Sequence, residues 1–406
     1  MLRPFDPTKD RDATIRIWDE VGWLEFSSEE IVNRWVDAGR AMVAEVAGEA
    51  ECLVCTAPGT VAYQNEALPA SLFTGVTTSR VARKQGLALR VTARCVMEGV
   101  QDGAIVAALG MFEQGFYNQV GFGSGSYEIA VTLDPARLNV PGRHRTPERL
   151  TKGDSAVVHA ARLARPAAHG NCTVFPEVGS WGPMNEGKGF GLGYRDKATG
   201  ELTHHFWCKP RGEHGPYRIA WMVYHNREQF LELLSVIRSI GDQVRAIKIP
   251  EPADIQLQDM MQQPFKQIQI SDKSGVAAGI DARAHFQYRI CDLAACMART
   301  HLPGERVTFN LELTDPIATH LPEDSAWRGI AGIYRVTLGP ESESVVGHDA
   351  GLPTLHATVG AFTRLWLGVK PATGLSLTDD LSGPSDLLSQ LDRLIRLPTP
   401  RNDWDY

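Results

Sequence analysis

The sequence lacks any stretch of the roughly 18 apolar residues that a membrane-spanning helix needs, and its opening, Met1-Leu2-Arg3-Pro4-Phe5-Asp6, carries no apolar signal core. A cytosolic protein with no membrane span is the expectation. A basic surplus is missing too: 41 Lys and Arg stand against 48 Asp and Glu, a formal net charge of −7. Binding nucleic acid or an anionic membrane requires a basic surface that displaces counterions, so neither is expected as a partner, and cationic partners suit the charge better. The seven cysteines are an odd number scattered over 406 residues, which does not suit a disulfide scaffold and points to reduced thiols. Cys52-x-x-Cys55 is a single pair inside an apolar run, without the second pair of a zinc site, and His204, His205 and Cys208 on one strand would face different sides. No metal is expected.

What is present is an ordinary globular composition, long enough for about two to four domains. Helices are predicted over 10–21 and after Ser27, where Ser27-x-x-Glu30 reads as a capping box. Strands follow around 41–47, 52–56 and 72–78. Leu87, Val91, Cys95, Val96 and Val100 recur at helical spacing, then come a strand at 104–109, a short aromatic helix around 114–120, and a strand at 127–133 that closes the unit. Pro135, Pro141 and Pro147 mark a boundary. Beyond it, strands at 189–194, 202–208 and 217–223 read as a meander, and the alternation Gly187-x-Gly189-x-Gly191-x-Gly193 suits a strand packed closely on another element.

Asn226-x-x-Gln229 then caps a helix at 230–240 that leads into a strand at 244–249. The offsets match those of the first unit, since 104 − 86 and 244 − 226 are both 18, so a diverged internal repeat is predicted. Only the first copy has a basic, Gly-containing loop before its helix, so only it is expected to bind a phosphorylated cofactor. The last third has strands at 306–314 and 329–338, apolar helices at 357–367 and from Ser385, and a proline-extended tail ending Trp404-Asp405-Tyr406.

Arg83-Lys84-Gln85-Gly86-Leu87-Ala88 is an Arg-x-x-Gly-x-Ala turn opening a helix. There the first backbone N–H groups are unpaired, the helix dipole is positive and Gly86 permits close approach, which suits a pyrophosphate; a plain capping loop is the alternative. Set between a strand and a helix and followed by a Tyr-containing aromatic helix, this turn resembles the acetyl-CoA site of the GNAT superfamily. Val76-Thr77-Thr78 resembles the strand that pairs with the pantetheine arm. Phe116-Tyr117-Asn118-Gln119-Val120-Gly121-Phe122-Gly123 is similar to the Tyr-x-x-Phe-Gly-Tyr/Phe-Gly segment of the Eis (enhanced intracellular survival) family.

The resemblance implies an α+β chain of a catalytic GNAT domain (1–141), a degenerate GNAT-like domain (142–273) and a sterol-carrier-like α+β domain (274–406). It implies acetyl-CoA as cosubstrate, held by Val76, Thr77, Thr78, Arg83, Lys84, Gln85, Gly86, Leu87, Ala88, Met111 and Phe112, with backbone N–H groups near Met111 polarising the thioester. Tyr117 would be the general acid and the terminal carboxylate of Tyr406 the general base, reached by a tail that can span roughly 30 Å from Pro398. Glu25, Trp35 and Asp405 would line an acidic pocket for an amine-bearing small-molecule acceptor, aminoglycoside-like, or else for a protein lysine. A trimer-based homo-oligomer is also implied. A lipid or acyl-CoA carrier with an idle GNAT unit is the rival reading.

Overall fold

Three twisted sheets organise the chain in the computed structural model, which describes residues 1–25, 27–264 and 278–406. The first sheet starts with the meander Leu2–Pro4, Arg40–Val46, Glu49–Tyr63 and Glu66–Thr78, all antiparallel neighbours, and continues with Val106–Gly110 parallel to the last of these. Helix Leu87–Gln101 makes the crossover and buries Val91, Cys95 and Val96 on the sheet, as its spacing predicts. Cys52 and Cys55 are free and buried on Glu49–Tyr63, and burial pushes their thiols up to about 11 and 12.

The second sheet repeats the scheme. Strands Phe190–Arg195, Leu202–Lys209 and Tyr217–Val223 form the predicted meander, helix Arg227–Ser239 crosses over, and Ile247–Pro250 returns parallel to Tyr217–Val223. The Asn226 side chain caps that helix by accepting from Gln229 N–H at 3.0 Å. The glycine alternation has a steric cause in Trp207: a Cβ on Gly189 or Gly191 would lie 2.7 or 2.9 Å from its indole.

Two strands lie elsewhere than the sequence order suggests. Glu128–Leu133, expected to close the first unit, belongs to the second sheet, between Ile247–Pro250 and Gly279–Arg283. In exchange Phe286–Ile290, expected in the last third, pairs with Val106–Gly110 and with Gly123–Ser124 in the first sheet. A cut near Pro141 therefore does not separate the strands by sheet, and the cut near Lys273 lies outside the described residues. Pairing decides over sequence order here, because an unpaired strand edge leaves its backbone groups unsatisfied. A smaller correction concerns the second helix, Glu29–Ala38, which is capped by Ser28 rather than Ser27: extended Ser28 accepts from Ile31 N–H.

The third sheet pairs Val307–Thr314 with Gly332–Leu338 and, in parallel, with Thr354–Thr358. Helix Val359–Trp366 packs between this sheet and the first one, so one continuous core includes Leu72, Ile290, Phe309 and Phe362. Among the described residues no helix is long and apolar enough to cross a membrane.

Candidate active site

Strand Glu66–Thr78 stays in register with Val106–Gly110 only from Ala70 to Phe73. Beyond Phe73 the two strands part, and a cleft of about 430 Å³ opens between Thr74-Gly75-Val76 on one side and Gly110-Met111-Phe112 on the other. Parallel strands that diverge leave main-chain groups without their ladder partners, which suits an extended ligand with amides of its own.

At the far end of the same strand lies the basic turn. Arg83, Lys84, Gln85 and Gly86 are exposed, and helix Leu87–Gln101 begins at Gly86 in the left-handed region (φ 70°) with no side-chain cap, so the amides of its first turn remain free. Nothing lies within 4 Å of where a Gly86 Cβ would sit. The open loop and its uncapped amides fit a diphosphate. Leu87 points into the core, Ala88 is half-buried, and the Thr77 and Thr78 hydroxyls are taken by Gly75 O and Cys52 Sγ. What this strand end offers a ligand is backbone.

Tyr117 stands on the cleft wall at the start of a 3₁₀ turn, packed edge-on against Phe112, Phe116 and Phe122. Burial pushes its phenol well above the usual value, keeping it protonated as a proton donor must be. Met111 faces the cleft as well, but its N–H donates to His285 O at 2.8 Å and is not available to polarise a carbonyl. Sequence reasoning had no access to this, because the acceptor, His285, comes from just before the distant strand Phe286–Ile290.

The C-terminal tail runs into the cleft. Asp403 grips Arg165 at 2.6 and 2.7 Å, and Trp404 is buried with its Nε1 donating to Gly179 O at 2.9 Å. Asp405 is exposed and Tyr406 largely inside, the alternation expected of an extended chain. The Tyr406 ring packs on Phe286 with its hydroxyl toward Cys172 Sγ, and Asp405 and Tyr406 both line the cleft.

Of the residues singled out in the sequence, Val76, Met111, Phe112, Tyr117, Trp35, Asp405 and Tyr406 meet around this one cleft. Glu25 does not; it is exposed on the turn Trp23–Glu25. Nor is the lining simply acidic: Arg162, Lys209 and Arg218 stand against Glu186 and Asp405. Lys209 pairs with Glu186 at 3.0 Å and Arg218 with Asp405 at 3.8 Å. Trp18, Trp23 and Trp221 complete the walls. No local pattern marks these residues, since they come from separate elements: Trp18 from helix Arg11–Glu20, Arg162 from helix Ser155–Leu163, and Lys209, Arg218 and Trp221 from strands of the second sheet.

The repeat carries a second cavity at the equivalent place. Tyr217–Val223 is in register with Ile247–Pro250 only at Tyr217 and Arg218, and a space of about 600 Å³ opens beyond, lined by Ile219–Arg227 and Pro250–Ala253. Here Arg401, Asn402 and Asp403 of the tail form part of the lining. His204 and His205, weighed for a metal, face opposite sides: His204 bonds Glu232 at 3.0 Å and His205 accepts from Trp221 at 3.2 Å.

Solved structures share this architecture from end to end. A protein from Enterococcus faecalis V583, described as of unknown function and a "Probable N-Acyltransferase", matches with a TM-score of 0.78 at 17% identity, over 100% of this chain and 99% of its own. A GCN5-related N-acetyltransferase from Kribbella flavida matches at 0.74 and 17%, over 100% and 98%. Eis1 from Mycobacterium abscessus matches at 0.73 and 17%, over 100% of both chains. The chain has the GCN5-related N-acetyltransferase fold. At these identities the likeness concerns the GNAT fold alone. No protein-family model and no curated protein matches the sequence.

Proposed function

We propose that the protein is an acetyl-CoA-dependent N-acetyltransferase acting on primary amines. The observation that carries the reading is the meeting of Tyr117 and the chain terminus Tyr406 in the cleft where the two strands diverge, far from each other in sequence. The uncapped helix start at Gly86 supports a diphosphate-bearing cosubstrate, with Arg83 and Lys84 adding charge and Val76 and Thr77 offering backbone to its arm. Bound acetyl-CoA supplies the acetyl group as a thioester.

The protein's own groups handle the protons. The Tyr406 terminal carboxylate, directly or through water, takes the proton an ammonium must lose before its nitrogen can form the new C–N bond. As the C–S bond breaks, Tyr117 gives its phenolic proton to the departing thiolate. Burial keeps the phenol protonated until the developing thiolate, held against it, takes the proton. The phenol then recovers its proton from solvent. Trp18, Trp23, Trp35 and Trp221 exclude water and give the acceptor an aromatic surface.

An aminoglycoside-like polyamine and a protein lysine are both acceptors of this class. The mixed lining favours a small molecule that presents one amine over a polycation. A trimer-based homo-oligomer, a cytosolic setting and a sterol-carrier-like domain at 274–406 belong to the same reading.

The test is CoA release from acetyl-CoA over a panel of amines, comparing the native C-terminus with protein lacking Tyr406, any tag being N-terminal. Amine-dependent release that falls by about 100-fold or more without Tyr406 is expected. Acetyl-CoA binding with no release for any amine would refute the acetyltransferase reading.

A further inference from the structure

Arg162 is the most enclosed cation of the cleft wall, 2% exposed on helix Ser155–Leu163. Its guanidinium lies between two indoles, 3.7 Å from the Trp404 ring centre and 4.2 Å from that of Trp221. Nη1 donates to Gly179 O and Ser180 Oγ. Among the described residues Nε and Nη2 donate to nothing, and no carboxylate comes within 4.0 Å. The nearest acidic neighbours are otherwise engaged: Asp403 with Arg165, Asp405 with Arg218. Arg162 lines both the main cleft and the second cavity.

A buried guanidinium without a counter-charge is costly, and such a group at a cleft marks a place where an anion is received. Stacking on two indoles fixes the plane of the fork. A planar, pre-oriented fork matches a carboxylate in two-point fashion.

We infer that Arg162 is the anion anchor of the acceptor site, and that the preferred acceptor carries a carboxylate as well as its amine: an amino acid or a comparable zwitterion with an apolar or aromatic body. The inference rests on the acetyltransferase reading for its chemistry, but not for the binding of the anion. The tryptophans that line the cleft receive the apolar body. Acetylation removes the acceptor's positive charge, so the product is an N-acetylated acid held chiefly by this anchor.

The test compares acceptors that differ only by the carboxylate: tryptophan with tryptamine, phenylalanine with phenethylamine, and 5-aminopentanoate with butylamine. For at least one pair the acid is expected to have a kcat/KM about tenfold or more above its decarboxylated partner, a ratio that corresponds to one charge-assisted contact. In Arg162→Met that ratio collapses toward one, and Arg162→Lys restores part of it. A merely structural role would lower the rates for both members of a pair together and leave the ratio standing. If Arg162→Met fails to fold, the wild-type ratios and Arg162→Lys still decide.

Calorimetric titration with N-acetylphenylalanine and with N-acetylphenethylamine adds a readout independent of turnover, the acid being expected to bind at least about tenfold more tightly. Release of CoA with no preference for acids, together with equal binding of the two acetylated compounds, overturns the anchor and leaves the acetyltransferase reading intact. Tighter binding of the acid with no CoA release from any amine does the reverse.

Discussion

Asp403 meets Arg165 in a two-pronged ion pair, its carboxylate oxygens 2.6 and 2.7 Å from Nε and Nη2, and this clasp sits one residue before the buried Trp404 and three before the chain end. Arg165 is anchored in turn by donating to Cys172 O and Arg162 O. Asp403→Asn is expected to loosen the tail and lower kcat/KM by about three- to tenfold, the range for a paired charge that is partly solvated. Acetyl-CoA affinity should be unaffected. Steady-state kinetics at 50 and 500 mM salt check it: the gap between variant and wild type narrows as salt screens the pair.

Tyr117→Phe removes one oxygen from a site packed by Phe112, Phe116 and Phe122. A fall in kcat of about 100-fold or more is expected, with unchanged acetyl-CoA binding and a melting temperature that does not drop. Thiol release and thermal unfolding on the same sample check both halves. A variant with near-wild-type kcat would remove Tyr117 from the proton-donor role.

Glu128 lies at the start of the strand that passes to the second sheet, and burial raises its carboxyl to about 7 despite bonds from the His285 and Phe286 amides. A carboxyl whose folded pKa is raised binds its proton more tightly folded than unfolded. Its neutral form is therefore tolerated below the ordinary value near 4.5, and stability is lost as pH rises from there through about 7. Glu128→Gln cannot ionise, so its melting temperature relative to wild type should be more favourable at pH 8 than at pH 4.5. Melting curves at both pH values measure the difference.

Arg289 and Asp315, both fully buried, join the first sheet to the third unit; one of their two contacts measures 3.0 Å. Asp315 also accepts from the Ile317 and Ile330 amides, and Arg289 Nη1 donates to Val120 O. Asp315→Ala leaves the guanidinium without its partner and is expected to cost about 3–5 kcal/mol. Chemical denaturation checks it, and the double variant Arg289→Met with Asp315→Leu should recover a large part of the loss.

Legibility in the sequence followed the range of the interaction. The turn at Arg83–Ala88, the helix it opens and the Asn226 cap are local, and their residues carry the signal alone. The glycine alternation Gly187–Gly193 was readable as close packing, although not as packing on Trp207. The Ser27 cap missed by one residue, since Ser27 and Ser28 are chemically alike and only the backbone turn at Ser28 chooses between them. The exchange of Glu128–Leu133 for Phe286–Ile290 was not legible, because a strand's composition fits either sheet and only the available edges assign it. Arg162 escaped notice for the same reason: a lone arginine in the run His159-Ala160-Ala161-Arg162 gives no hint that two tryptophans from elsewhere will enclose it.

That exchange of strands sets an order on synthesis. Phe286 pairs with Gly110 and Ile290 with Val106, separations of 286 − 110 = 176 and 290 − 106 = 184 residues. As the chain leaves the ribosome, the first 110 residues emerge with the Val106–Gly110 edge uncovered, and it stays uncovered until residue 290 is outside. Exposed edges of apolar strands invite pairing with other nascent chains. Fragments that stop between these two points should be recovered as aggregates, whereas chains released beyond residue 290 have the means to close the sheet on themselves.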